Sequence, residues 1–192
     1  MPVINATIDG VAVEIEEGCT GTQYYESRSD VVAMTVDGNA WDLSREIPAD
    51  ATVEAITLNS PAGLEILRHS CTHVMAQAVQ EIFPDVNLGI GPFITDGFYY
   101  DFGNIDSVTP ELMRDIEKRM KRIVKEGQAF RRRVVTEEEA REELADQPFK
   151  LELISTKGGG AQDASVEVGG SELTIYDNVR RDGTTAWKDL CR

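Results

Sequence analysis

From Ser60 to Pro84 the chain has little conformational choice. Ser60 is a residue type that caps helices, Pro61 suits a first helical position, and Pro84 ends whatever regular structure precedes it. Between them Leu64, Leu67, Cys71, Val74, Ala78 and Ile82 recur at three- and four-residue steps, which predicts an amphipathic helix of about six turns. That helix carries both histidines of the chain, His69 and His73. Spacing of four residues sets two imidazoles on one face, one turn apart, within joint reach of a single metal ion or substrate atom. With Leu64 taken as zero, the apolar stripe centres at about 320° and the histidines fall at roughly 140° and 180°, away from it. On pattern alone they are either surface residues or the lining of a pocket closed by another element.

The sixty residues before this helix read as short strands and turns. Val3 to Ile8, Asp9-Gly10 and Val11 to Ile15 have the alternation and turn chemistry of a β-hairpin. Met34-Thr35-Val36 before Asp37-Gly38, and Val53 to Leu58, add strands, with room for one short helix. Beyond the histidine helix, Leu88 to Pro92 and Gly97 to Phe102 read as strands or strand-edge loops. Thr109-Pro110 then opens a second long helix, with Leu112, Ile116, Met120, Ile123 and Val124 on one face as far as Gly127. Thr136 to Glu139 resembles a capping box for a shorter helix to about Asp146. Phe149 to Ile154 and Glu172 to Tyr176 read as strands separated by a turn at Gly158-Gly159-Gly160. Helices and antiparallel strands without a βαβ rhythm predict an α+β fold, in two domains at 1–60 and 61–192.

Charge argues against a nucleic-acid partner at first sight, because a chain of net charge −15 repels a polyanion. The distribution is uneven. Residues 1–60 hold eleven acidic and two basic side chains, whereas Glu111 to Arg133 holds nine basic against four acidic. No apolar run is long enough to cross a bilayer, and the start lacks the pattern of a signal peptide, so a cytoplasmic protein without a membrane partner is expected. Three widely spaced cysteines, Cys19, Cys71 and Cys191, do not resemble a secreted disulfide framework.

Five blocks occur in a fixed order: His69-Ser70-Cys71-Thr72-His73, Leu88-Gly89-Ile90-Gly91-Pro92, Asp96 to Asp101, Glu117-Lys118-Arg119-Met120, and Asp189-Leu190-Cys191-Arg192. Together they resemble threonyl-tRNA synthetases from about Leu64 to Arg192. Residues 1–60 are more loosely similar, through Met1 to Ile4 and Asp37 to Thr57, to the TGS domain of that family, a ubiquitin-like β-grasp module. The resemblance implies that 61–192 is most of an editing domain, with a long histidine-bearing helix against an antiparallel sheet, that hydrolyses mischarged Ser-tRNA(Thr). Its parent activity would be ATP-dependent ligation of threonine to tRNA(Thr).

Carried over by position, the resemblance implies a pocket of His69, His73, Lys150, Asp189 and Cys191, with Gly91 and Tyr100 lining the substrate site. It leaves open which group is the general base. A further histidine of the family pattern would follow Arg192, so this stretch would lack one corner of the site, which leaves its activity alone an open question. His69, His73 and Cys191 also form a candidate zinc set, while ATP, magnesium and a second zinc would belong to the rest of the synthetase, a homodimer. The basic stretch suggests contacts from Lys118, Arg119, Arg131, Arg132 and Arg133 to the tRNA acceptor end. Two other readings compete: a non-catalytic tRNA-binding or regulatory module, and a free-standing hydrolase acting in trans.

Overall fold

A computed structural model describes residues 2–156 and 173–191, and the chain divides into two compact units, 1–67 and 68–192, with the division inside one helix. The whole is α+β.

In the first unit, β1 (Val3–Ile8) and β2 (Val11–Glu16) form the expected hairpin, with Ile8 opposite Val11. Asp9 and Gly10 at the turn both adopt positive φ, 50° and 79°, which suits a tight Asp-Gly connection. A short helix, α1 (Gly21–Tyr24), is closed by a capping box between Thr20 and Gln23. β3 (Val31–Val36), β4 (Asn39–Trp41) and β5 (Thr52–Thr57) complete one sheet in the order β2-β1-β5-β3-β4. β1 and β5 are parallel and every other pair is antiparallel, the strand order of a β-grasp. Alternation turns Ala6, Ile8, Met34, Val36 and Val53 into a core, each 4 % exposed or less.

α2 (Pro61–Ile82) is the histidine helix. Ser60 caps it, its Oγ accepting from Gly63 N at 3.0 Å. Expectation and structure differ over which face is buried. Leu64 and Leu67 are 40 % and 45 % exposed, while Thr72, His73 and Gln77 are at most 6 % exposed. From Thr72 onward the helix is covered on two sides, so a single apolar stripe does not describe it. Ala76, Ala78 and Val79 belong to a core shared with α3 (Pro110–Glu126), through Ile116 and Ile123. The polar face meets a sheet.

Small two-stranded pairs follow α2: β6 (Asn87–Leu88) with β9 (Phe102–Gly103), and β7 (Phe93–Ile94) with β8 (Gly97–Phe98). α3 starts as its residues dictate, Thr109 Oγ1 accepting from Leu112 N, and ends at Gly127 in the left-handed region. Val124, expected on its apolar face, is 67 % exposed instead. Its last turn lies past the core contact made by Ile123, so nothing covers the neighbouring position.

β10 (Ala129–Val134), β11 (Thr174–Val179) and β12 (Thr185–Cys191) form an antiparallel sheet in that order. α4 (Glu137–Glu143) has the capping box between Thr136 and Glu139. The next segment overturns an expectation, because Phe149 to Ile154 is not a strand but part of α5 (Pro148–Thr156). Alternation of apolar and polar residues from Phe149 to Leu153 fits a strand as well as a helix. Gln147, Lys150 and Ile154 are the buried positions, a spacing of three and four, and Pro148 presets the first helical φ. The turn expected at 158–160 and the strand start expected at Glu172 lie outside the described residues.

Candidate active site

All the groups below belong to the second unit. Strand alternation gives the β10–β12 sheet two unlike faces. Asp177 on β11 points to one face, where it is 2 % exposed and accepts from Arg131 Nη2 at 2.9 Å and Arg133 Nε at 2.8 Å. Glu143 joins them, accepting from Arg133 Nη1 at 2.9 Å and from Lys188 at 3.0 Å. Burial alone would raise the Asp177 carboxyl, but bonds from Arg133 and Arg131 outweigh it and hold the group below the usual range.

The other face meets α2. Phe130, Tyr176 and Trp187, one from each strand, bring their rings to 6.4, 6.5 and 5.7 Å from the His73 ring. Asn178 Nδ2 donates to Gln77 Oε1 at 2.8 Å, and Trp187 Nε1 donates to Gln80 Oε1 at 2.6 Å. These bonds tie α2 to the sheet and hold His73 over its three rings. Sequence reasoning missed these supporting residues. The alternation of Tyr176 with Asn178 and of Trp187 with Asp189 was the available signal.

The Nε2 atoms of His69 and His73 lie 3.0 Å apart, a hydrogen-bond distance at which one ring donates and the other accepts. Thr72 Oγ1 donates to the His69 carbonyl at 2.7 Å within the same turn. His73 is 6 % exposed, and burial pushes its imidazole down to about 4, with His69 and Lys150 adding to the effect and Asp189 opposing it. Burial lowers His69 as well, again with Asp189 opposing and Lys150 assisting. Both rings are therefore neutral near pH 7.

Beneath them Lys150 of α5 and Asp189 of β12 are 4 % and 2 % exposed, and Lys150 Nζ sits 2.8 Å from Asp189 Oδ1. Tyr100 OH donates to Asp189 Oδ2 at 2.9 Å and lies 3.3 Å from Lys150 Nζ. Asp189 Oδ2 is also 3.7 Å from His73 Nδ1, an electrostatic neighbour beyond hydrogen-bond range. A methyl group on Gly91 would stand 2.7 Å from Tyr100 Cε2, so the glycine lets the ring lie against the backbone, and Phe102 stacks on that ring with centroids 4.8 Å apart.

Of the residues singled out from the sequence, His69, His73, Lys150, Asp189, Tyr100 and, through Tyr100, Gly91 come together. Cys191 pairs in the sheet with Thr174, and its side chain lies outside the described ones. No group of three histidine, cysteine, aspartate or glutamate residues suited to a metal occurs among the described residues. The two Nε2 atoms would supply two donors of the candidate zinc set, whose third member, Cys191, has its side chain outside the described ones. Arg119 bonds Glu81 of α2 at 3.0 Å, and Arg122 bonds the same carboxylate. Arg131 and Arg133 face Asp177, so much of the basic stretch answers internal acids, whereas Lys118 is exposed on α3.

No helix among the described residues is long and apolar enough to cross a membrane. No protein-family model matches the chain. Among curated proteins, the threonine–tRNA ligase of Cutibacterium acnes is 68 % identical over 179 residues, 93 % of this chain and 26 % of that protein. That of Micrococcus luteus is 54 % identical over 190 residues, 97 % of this chain and 28 % of the relative. That of Thermobifida fusca is 50 % identical over 197 residues, 100 % of this chain and 30 % of the relative. The chain spans 26 to 30 % of the length of these relatives. Identity of this level across nearly every residue leaves one conclusion: the chain belongs to the threonine–tRNA ligase family.

Proposed function

We propose that this chain hydrolyses the ester of serine wrongly attached to tRNA(Thr), within a cytoplasmic protein that ligates threonine to that tRNA at the expense of ATP. Residues 1–60 would be its TGS module. The observation that carries the reading is the imidazole pair, 3.0 Å apart, above a buried Lys150–Asp189–Tyr100 network.

The need for such a site is physical. Threonine and serine differ by one methyl, which a binding pocket converts into only about 1–3 kcal/mol of discrimination. A second pocket that admits only the smaller side chain and cleaves its ester restores accuracy. Ester hydrolysis requires a positioned water, a base for its proton and a donor for the developing oxyanion.

His69 is the better base. It is the more exposed of the two rings, while His73, with its affinity for protons pushed down to about 4, is a poor acceptor at pH 7. His73 then orients His69 through the shared Nε2 contact. Lys150 Nζ, paired with Asp189, is the donor to the carbonyl oxygen, and Tyr100 holds both members of that pair in place. Asp189 is enclosed by Lys150, Tyr100 and the amide of Leu190, so it acts by positioning these groups. No step uses a metal.

The test is deacylation of Ser-tRNA(Thr) and Thr-tRNA(Thr) by the purified protein. Serine should be released well above the buffer rate with threonine spared, and His69→Ala should reduce serine release by about 10²–10⁴-fold. Serine release no faster than in buffer would end the proposal.

A further inference from the structure

We infer that Gln147 is a positioning residue for the ester-cleaving site, the side chain that sets Lys150 against Tyr100; this rests on the reading that the site cleaves an aminoacyl ester. β6 bonds β9 along one edge, where Asn87 pairs with Gly103 and, just beyond, Gly89 N donates to Asp101 O at 2.9 Å. Strand geometry turns the peptide groups of Val86 and Leu88 to the other edge, which no strand borders among the described residues. The Gln147 carboxamide stands there instead. Leu88 N donates to its Oε1 at 2.9 Å, and its Nε2 donates to Val86 O at 3.4 Å. A side-chain amide, 5 % exposed, thus takes the place of one peptide group of a paired strand and satisfies two buried backbone groups.

The same residue opens α5. Gln147 N donates to Leu144 O at 2.9 Å and Gln147 O accepts from Leu151 N at 3.1 Å, so its backbone fixes the first turn of that helix while its side chain holds β6. Phe149 adds a second hold, its ring lying so close to Gly103 of β9 that a Cβ there would stand 3.0 Å from Cε2. From this pin two arms run to the site. Lys150 is three residues along α5 from Gln147, and Gly91, against which the Tyr100 ring lies, is three residues along the chain from Leu88. The arms meet where Lys150 Nζ stands 3.3 Å from Tyr100 OH. Apolar packing is non-directional and would let a nine-residue helix slide on its neighbours, whereas hydrogen bonds to two fixed peptide groups hold its start in one place. A donor to a developing oxyanion needs that kind of support.

The test is a double-mutant cycle on hydrolysis of Ser-tRNA(Thr), read with each variant well below its unfolding midpoint. Gln147→Met keeps the length of the side chain and removes both bonds. Misplacing a donor that acts on the developing oxyanion costs transition-state binding alone, so kcat should fall about 10–10²-fold with KM nearly unchanged. Gln147→Glu keeps the acceptor for the Leu88 amide and should lose less. In a Tyr100→Phe background Gln147→Met should add little, because both substitutions act on one contact. Losses that multiply, or a rise in KM at constant kcat, would overturn the assignment. The nitrogen resonance of Lys150 Nζ should move in Gln147→Met, and a resonance that stays in place would overturn it as well. If the unmodified protein does not release serine, the editing reading fails, and this resonance still decides whether Gln147 sets Lys150.

Discussion

Lys150 Nζ and Asp189 Oδ1 are 2.8 Å apart, with both residues at most 4 % exposed. Removing one partner of such a pair strands a buried charge, at a penalty of about 3–5 kcal/mol, whereas removing both is far better tolerated. Lys150→Met and Asp189→Asn should each lower unfolding stability in urea by about 3 kcal/mol. The double variant should recover part of that loss and still lack serine release. Strictly additive losses would mean the two groups are not coupled.

The imidazole pair sets an acid limit for both activity and stability. His73 binds protons only near pH 4 when folded, against about 6.5 in an unfolded chain. Between these values the unfolded state holds the extra proton, so this contribution to stability is complete above pH 6.5 and is lost as pH falls toward 4. For catalysis, His69 is also lowered, so the acid limb of kcat/KM should have its inflection below 6.5. An inflection at or above 6.5 in a pH profile of serine release would remove the neutral pair from the mechanism.

Gly91 makes room for the Tyr100 ring, on which Phe102 stacks. Gly91→Ala should therefore displace the ring and break the Tyr100 bond to Asp189. Serine release should drop about tenfold, as expected for one charged hydrogen bond, and Tyr100→Phe should reproduce most of the loss. Full activity in Gly91→Ala would show that the ring has somewhere else to go.

Legibility in the sequence followed the range of the interactions. Thr109-Pro110, the Thr136 box and the Asp9-Gly10 turn act within four residues, and each starts or ends an element where its chemistry indicated. The histidine pair was equally visible because a helix brings i and i+4 together by itself. What covers a face is not local. Leu64 and Leu67 looked like core and are half-exposed, while His73 and Gln77 are buried because Trp187 and Asn178, more than a hundred residues later, close over them. Lys150 does lie beside Asp189 and Tyr100, but on another element than expected: the run from Phe149 to Ile154 fits strand and helix alike, and Pro148 and the buried Gln147 tipped the outcome to helix.

Glu143 offers a test of the opposite sheet face that leaves the imidazoles alone. Bonds from Arg133 and then Lys188 hold its carboxyl down to about 2, against about 4.3 in an unfolded chain. A carboxyl depressed on folding contributes stability that is complete above pH 4.3 and disappears as pH falls toward 2. Its side chain is 28 % exposed, so solvent screening reduces the contribution to about 1–2 kcal/mol. Glu143→Gln should lose that amount at pH 7 and show a shallower decline in stability between pH 4.3 and 2. Serine release should be nearly unaffected, because Arg133 and Lys188 point away from His73, and a loss of activity larger than the loss of folded protein would link this face of the sheet to the site.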